Sequence, residues 1–319
     1  MFIKDPVHLP RTLPSRNKLA IDIQVFDFEG KLYDYKNTFL NNKIMENQYL
    51  QILRDILENG DTRQTRNSVT RSCFGKYLSL DLADGFPLLT TKKVFFRGVV
   101  EELAWFLRGS TDAMELIAKK VHIWDGNSEK NNYDCGAVYG FQWRHYGAKY
   151  IDCTTDYTGQ GYDQIQNVID LLKNDPTSRR IIINAWNPGQ IGEMCLPPCH
   201  CLYQFYVESD GRVSVMLTQR SADMFLGLPF NIASTALLLT LICQQVGRQP
   251  GLVLLNIGDA HIYENHIEAV KKQLSREPTQ LPLLILKNDN IDLWNLQYGD
   301  VSVIQRSKNQ GKIKAKMIA

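Results

Sequence analysis

The sequence predicts an α+β or mixed α/β fold, and three observations predict it. Segments alternating apolar and polar residues, clearest at Arg212–Arg220, read as strands. Segments with a 3.6-residue apolar period, clearest at Tyr162–Asn174, read as helices. The two kinds mix along the chain without a strict strand–helix–strand rhythm.

In chain order, residues 1–43 read as an N-terminal extension and residues 44–319 as the main domain. The extension carries Pro6, Pro10 and Pro14, then IDIQVFDFEGKLYDY, which predicts a β-hairpin turning at Glu29-Gly30. From Ile44 a helix begins, with Ile44, Tyr49, Ile52, Leu53, Ile56 and Leu57 on one face, until Gly60 stops it. Asp61–Ser72 carries Arg63, Arg66 and Arg71 and no apolar period, so it reads as a loop. A strand follows at Phe74–Leu82. Thr90–Lys93 leads into VVEELAWFLRG, a helix that buries Leu103, Trp105, Phe106 or Leu107 while carrying Glu101 and Glu102.

Tyr162–Asn174 is helical through Ile165, Val168, Ile169 and Leu172. Arg179–Trp186, Leu202–Glu208 and Arg212–Arg220 read as strands. The last puts Val213, Val215 and Leu217 on one face and Thr218 and Arg220 on the other. Asn231–Val246 is a helix apolar on most sides. Leu252–Tyr263 is a strand in which Asp259, His261 and Tyr263 share a face.

Composition narrows the class. With 44% hydrophobic and 22% charged residues the 319-residue chain is ordinary globular material. The net charge of +2, from 36 basic and 34 acidic residues, leaves no surplus for a nucleic-acid partner. MFIKDPVHLP lacks the apolar core of a signal peptide, and the apolar run Ala236–Cys243 is short for a bilayer span. Seven cysteines, an odd number, read as reduced thiols. A soluble cytoplasmic protein without a membrane partner is expected.

Cofactor motifs are sparse. GQG at Gly159–Gly161 has Gln164 where a third glycine belongs and follows no strand, so NAD binding is not expected, and no P-loop occurs. The stretch MCLPPCHCLYQFYV (Met194–Val207) is different. Zinc could draw on Cys195, Cys199, His200 and Cys201, but no second ligand pair completes a site, so no metal is expected. Small core cysteines are the bland alternative. Pro197-Pro198 instead holds Cys199 rigidly before a buried strand, a mounting suited to a nucleophile. A thiolate needs a cation, and Arg66, Arg179, Arg180 and Arg220 stand in polar settings. Several guanidinium forks also fit a phosphate. The residues by themselves point to a cysteine nucleophile acting on a phosphorylated small molecule.

At LPPCH (Leu196–His200), QRSADMFLGLPFNIAS (Gln219–Ser234) and GDAHIYENH (Gly258–His266) the chain resembles the thymidylate synthases. The likeness extends through FPLLTTKKVFFRGVVEELAWFLRGST, HIWDGN, VYGFQWRHYGA, DYTGQGYDQI and SRRIIINAWNP, roughly residues 44–290 in order. The resemblance implies a single α/β domain around a large twisted mixed sheet flanked by helices, paired sheet to sheet in a homodimer. It implies conversion of dUMP to dTMP with 5,10-methylenetetrahydrofolate as cosubstrate.

Residue by residue, the resemblance makes Cys199 the nucleophile at uracil C6 and Arg220 its neighbour on the phosphate. Arg66, with Arg63 as the alternative, and Ser221 would bind that phosphate, as would Arg179 and Arg180 from the partner subunit. Asn231 would read the base, and His261 and Tyr263 would hold the ribose hydroxyl. Glu102 would relay protons, and Tyr139, His200 and Gln219 match hydrogen-bonding positions. Trp124, Asn127, Asp223, Lys92 and Ala319 match the folate pocket.

Three stretches depart from the family pattern: the loop TRNSVTRS, one residue shorter than usual; Gly136-Ala137-Val138-Tyr139, with alanine in place of proline; and the ending QGKIKAKMIA. The rival readings are a dUMP 5-hydroxymethyltransferase of the same fold and, from another class, a non-catalytic zinc or nucleic-acid-binding protein.

Overall fold

A computed structural model describes residues 35–308 and 310–317. The hairpin expected at Glu29-Gly30 and the terminal Ala319 lie outside the described residues.

Helix α1 (Tyr35–Asn59) begins ahead of the expected Ile44. It buries Tyr49, Leu50, Leu53 and Ile56, and the Gly60 N–H closes its last turn on Ile56 O at 3.0 Å. The expected loop Asp61–Ser72 is instead mostly a hairpin. β1 (Asp61–Gln64) pairs antiparallel with the start of β2 (Val69–Asp81) across a turn in which Thr65 N donates to Ser68 O at 3.0 Å. All four β1 residues are exposed, so no apolar alternation could reveal the strand.

Helices α2 (Phe96–Leu107), α3 (Met114–Ala118), α4 (Asp125–Ser128), α5 (Tyr139–His145) and α6 (Gln164–Asn174) follow. α6 starts two residues later than expected because Asp163 caps it, accepting from Gln166 N at 3.0 Å. Then come β3 (Ile182–Asn184), β4 (His200–Val207), β5 (Val213–Asp223), α7 (Gly227–Val246), β6 (Pro250–Tyr263) and α8 (Ile267–Leu274). β3 is shorter than the expected Arg179–Trp186. The Gln164 side chain pairs with both the N–H and the carbonyl of Asn184 at 2.8 Å, occupying the edge another strand would use. β7 (Leu283–Leu286) and β8 (Val301–Ile304) form a separate two-stranded sheet.

The main sheet has the order β1-β2-β6-β5-β4-β3, with β5 and β6 parallel and every other pair antiparallel. Its register sorts the residues into rows. Leu78, Leu255, Leu217, Tyr203 and Ile183 lie side by side and are all buried, as are Leu80, Val253, Val215 and Phe205. This inner face packs against α1 and α7, with α2 behind α7. The opposite rows, Tyr77–Asn256–Thr218–Leu202 and Ser79–Leu254–Met216–Gln204, are exposed or half-buried. Helix α7 is long and apolar enough to cross a bilayer, unlike the short run noted in the sequence. However, 72% of its most apolar window is buried inside the protein, as in a core helix.

One buried carboxylate fastens α1 to the rest. Glu46 accepts from the backbone N–H and the hydroxyl of both Thr90 and Thr91, and those hydroxyls in turn accept from Thr279 N and Gln273 Nε2. Glu46→Ala would leave those buried donors unpaired, at about 1–3 kcal/mol each. Urea titration should show a loss of several kcal/mol; a change below about 1 kcal/mol would mean that water replaces the carboxylate.

Candidate active site

β5 and β6 end on the same side of the sheet, and the chain enters β4 beside them. His200 pairs with Gln219, Ser221 with Asp259, and Asp223 with His261. Beyond their carboxyl ends, parallel strands leave a crevice where ligands commonly bind. The motif residues Cys199, Gln219–Asp223 and Asp259–Tyr263 therefore converge.

Cys199 sits behind Pro197-Pro198, as expected. Its N–H donates to Tyr139 Oη at 2.7 Å and its carbonyl accepts from Arg220 N at 3.0 Å. The Arg220 guanidinium is fixed by Nε to Pro198 O at 2.7 Å and Nη2 to Pro197 O at 2.8 Å. The same Nη2 lies 3.7 Å from Cys199 Sγ. Burial pushes the Cys199 thiol up, and the Arg220 charge pulls against it. The other cysteines of the stretch diverge. Cys195 meets Cys135, while Cys201 Sγ donates to Pro198 O and Cys199 O at 3.6 and 3.5 Å. His200 meets Tyr203 and Asn231. Among the described residues no group of three His, Cys, Asp or Glu side chains is placed to hold a metal ion.

Behind the thiol lies an aromatic wall. Tyr139 packs on Phe106 at 4.9 Å, His200 at 5.2 Å and Trp124 at 6.0 Å between ring centroids. Burial pushes the His200 imidazole down to about 4, although Asn231 opposes it, so the ring is neutral at pH 7. Gln219 Nε2 donates to Asn231 Oδ1 at 2.8 Å, so Gln219 and His200 together set the carboxamide. Gln219 Oε1 is buried without a hydrogen-bond partner among the described residues. Burial pushes Glu102 up to about 7, against the Trp124 indole N–H that donates to it at 2.8 Å.

On the far side of Arg220, His261 Nδ1 lies 3.0 Å from Asp259 Oδ1 and its ring packs on Tyr263 at 5.2 Å, as their shared face implied. Burial raises Tyr263, as do the charges of Asp223 and Cys199, while Arg66 opposes them. Arg66 is therefore within electrostatic reach of the cluster, in the exposed β1–β2 turn. Arg63 is engaged by Asp61 at 3.8 Å and Asp259 at 4.0 Å. Ser221 is half-buried opposite Asp259 in the sheet.

Arg179 and Arg180 are exposed and lie elsewhere in their own chain. Ile181 O accepts from Phe205 N, six residues along β4 from Cys199, roughly 20 Å at the strand rise.

Asp223 lies at the base of the crevice. Burial would raise its carboxyl, but His266 and the N–H groups of Phe225 and Leu226 hold it below the ordinary value. Trp124 is buried and Asn127 half-buried at the start of α4. Lys92, matched to the folate pocket, is held against Phe225. It is 5% exposed, donates to Phe225 O, and lies 3.7 Å from the Phe225 ring centroid. Burial brings it down to about 8.

His266 was overlooked in the sequence although GDAHIYENH contains it. It is fully buried, with Nδ1 3.8 Å from Asp223 Oδ1 and Nε2 2.7 Å from Lys316 O near the C-terminus. A separate cavity of about 540 Å³, lined by Arg108, Arg144, His145, Tyr157 and Asp163 among others, contains none of the expected residues.

A sequence model of the thymidylate synthase family matches residues 47–319. The chain belongs to this family. It is 44% identical to a bifunctional dihydrofolate reductase-thymidylate synthase of Paramecium tetraurelia, covering 98% of this chain and 72% of that protein. It is 51% identical to a thymidylate synthase of Human herpesvirus 8, covering 75% and 74%. Against the bifunctional protein of Zea mays it is 43% identical over 95% of its own length but spans only 60% of the relative.

The Glu102 environment has a measurable consequence. Its ordinary value is 4.5, so between about pH 4.5 and 7 the folded protein keeps a proton that the unfolded chain has released. Stability is therefore fully present below pH 4.5 and is lost as pH rises through 7. In Glu102→Gln this loss should disappear, so the urea midpoint should fall less between pH 5 and pH 8 than in the parent. Turnover should drop roughly 100-fold or more. Equal pH slopes in the two proteins would contradict the assignment.

Proposed function

We propose that this chain converts dUMP to dTMP, with 5,10-methylenetetrahydrofolate as cosubstrate and dihydrofolate as the second product. The observation that carries this reading is the Cys199 thiol, 3.7 Å from an immobilised Arg220 guanidinium at the carboxyl ends of β5 and β6. Uracil C5 is a poor nucleophile. A thiolate adding at C6 makes C5 an enolate carbon able to attack an electrophile. When bound, the folate supplies both the one-carbon unit and the hydride, so no nicotinamide is needed.

The chain's own residues divide the remaining work. Arg220 favours the thiolate and, with Arg66 and Ser221, binds the phosphate. Asn231, fixed by Gln219 and His200, reads the base edge. A carboxamide offers both a donor and an acceptor there. Glu102, poised near neutrality, moves protons at O4. His261 and Tyr263 hold the ribose hydroxyl. The ionised Asp223 suits a heterocycle presenting N–H donors, with Trp124 and Asn127 beside it. Gln219 Oε1, unpaired among the described residues, also leaves an acceptor for a ligand to satisfy. We place the reaction in the cytoplasm, in keeping with seven free thiols.

The test is an anaerobic incubation with dUMP and methylenetetrahydrofolate, reading dihydrofolate absorbance and product mass. The mass of dTMP is expected. A product heavier by one oxygen would make the chain a hydroxymethyltransferase, and no conversion would end the reading. Cys199→Ser should lose roughly 10³-fold or more in turnover while still binding dUMP.

We further propose a homodimer in which each site receives Arg179 and Arg180 from its partner. The open sheet face supports this, because its rows carry Tyr77, Leu254, Met216 and Leu202 without a covering layer among the described residues. The distance from Arg180 to its own Cys199 supports it as well. Two inactive variants should then rescue each other: Cys199→Ser, and a protein lacking both arginines. Refolded together, half the dimers are mixed and each has one complete site, so about a quarter of all sites should turn over. No gain despite verified mixing would mean that the arginines serve their own subunit or bind no phosphate.

A further inference from the structure

Two thiols that the reaction does not use face each other beside it. Gly136 and Met194 form an antiparallel bridge, and the Cys195 N–H donates to Cys135 O at 2.9 Å. Gly136 has φ +74°, and a Cβ there would lie 1.7 Å from Glu193 O, so the two backbones are in close contact. Cys135 and Cys195 stand opposite each other in this bridge, close enough for each thiol to shift the other's ionisation. Opposite hydrogen-bonded residues have Cα atoms about 5.5 Å apart, within the range a disulfide spans. Both cysteines are free.

The two thiols differ in character. Cys135 is fully buried, whereas Cys195 is partly exposed. The neighbouring Cys135 thiol holds the Cys195 thiol below its ordinary value despite burial, and the Lys130 charge adds to the effect. The same contact, together with burial, raises Cys135. Each cysteine is also mechanically linked to the site. Cys135 lies four residues before Tyr139, and Cys195 lies four residues before Cys199 across the stiff Pro197-Pro198 pair. Tyr139 Oη is the acceptor that holds the Cys199 N–H.

We propose that Cys135 and Cys195 form a redox-modification site, closed to a disulfide by a hydroperoxide, which displaces Cys199 from Tyr139 and Arg220 and lowers turnover. The Cys195 thiolate attacks a peroxide oxygen and the O–O bond breaks, giving a sulfenic acid and a hydroxide that takes up a proton. The Cys135 sulfur then attacks the sulfenic sulfur. The S–O bond breaks, and the departing hydroxide leaves as water with the Cys135 proton. With hydrogen peroxide, two thiols lose two electrons and the oxidant becomes two waters. A dithiol reverses the exchange. In a reducing compartment such a bond is transient, which suits a switch.

The gating part rests on Cys199 being the nucleophile; the cross-link does not. The full chain would be exposed to hydrogen peroxide, quenched with an alkylating reagent, and divided between peptide mass mapping and the dTMP assay. A Cys135–Cys195 cross-link is expected, rising in step with at least a tenfold loss of turnover that dithiothreitol restores. Cys195→Ser should start with near-parental turnover and keep most of it after the same exposure. Cys195→Ala repeats the test without a hydroxyl. Inactivation with Cys199 oxidised and both other thiols alkylated would overturn the proposal, and so would a complete cross-link with unchanged turnover. An untreated enzyme that makes no dTMP would fail the functional reading, while the peptide map would still judge the disulfide.

Discussion

The arrangement of this site depends on how the Arg220 guanidinium is held. A free arginine side chain loses about 2 kcal/mol of rotamer entropy when it is fixed in one geometry. Here the carbonyls of Pro197 and Pro198 fix it before any ligand arrives, at 2.8 and 2.7 Å. Those carbonyls belong to the segment that carries Cys199, so charge and sulfur are positioned by one rigid unit. The alternation of β5 completes the arrangement. Gln219 turns inward to Asn231 while Arg220 turns to the open face. In the proposed reaction, adjacent residues thus serve the base and the phosphate without competing for space.

Around that anchor, environment sorts the ionisable groups into different states at one pH. His200 is neutral because burial brings it down to about 4, and Glu102 is poised because burial brings it up to about 7. Asp223 is also buried yet stays ionised, because His266 and two backbone N–H groups satisfy its charge. Two carboxylates thus differ in protonation through backbone hydrogen bonds and the neighbouring His266, a division that in the proposed reaction lets one move protons while the other binds. The thiol is the least settled member. Burial raises it and Arg220 is its main counterweight, so the local geometry around Cys199 controls its reactivity.

Much of this was legible in the sequence, for identifiable reasons. The strand with Val213, Val215 and Leu217 inward was readable because one face of the sheet is buried and the other is not. The Pro-Pro mounting was readable because proline restricts the backbone wherever it occurs. The β1–β2 hairpin was not readable, because β1 is exposed on both faces and held by backbone pairing, which leaves no trace in side-chain pattern. The burial of Lys92 was not readable, because charge ordinarily implies exposure. It depends on a carbonyl and an aromatic ring 133 residues away in sequence. His266 was hidden for a similar reason: a histidine in a helical turn shows its partners only once Asp223 and the C-terminal segment are folded around it.

The open sheet face and the distant arginines have a common geometric resolution. A layer of helices covers one face of the sheet and leaves Tyr77, Thr218 and Met216 on the other. The same face carries Arg220 at one end, while Arg180 lies at the opposite end of β4. Under the proposed two-fold pairing of these faces, the far end of one sheet comes to rest over the near end of the other. The separation that keeps Arg179 and Arg180 from their own site is then what brings them to the partner's. A row of half-exposed apolar residues, costly in a monomer, would thereby become the means of completing the phosphate site.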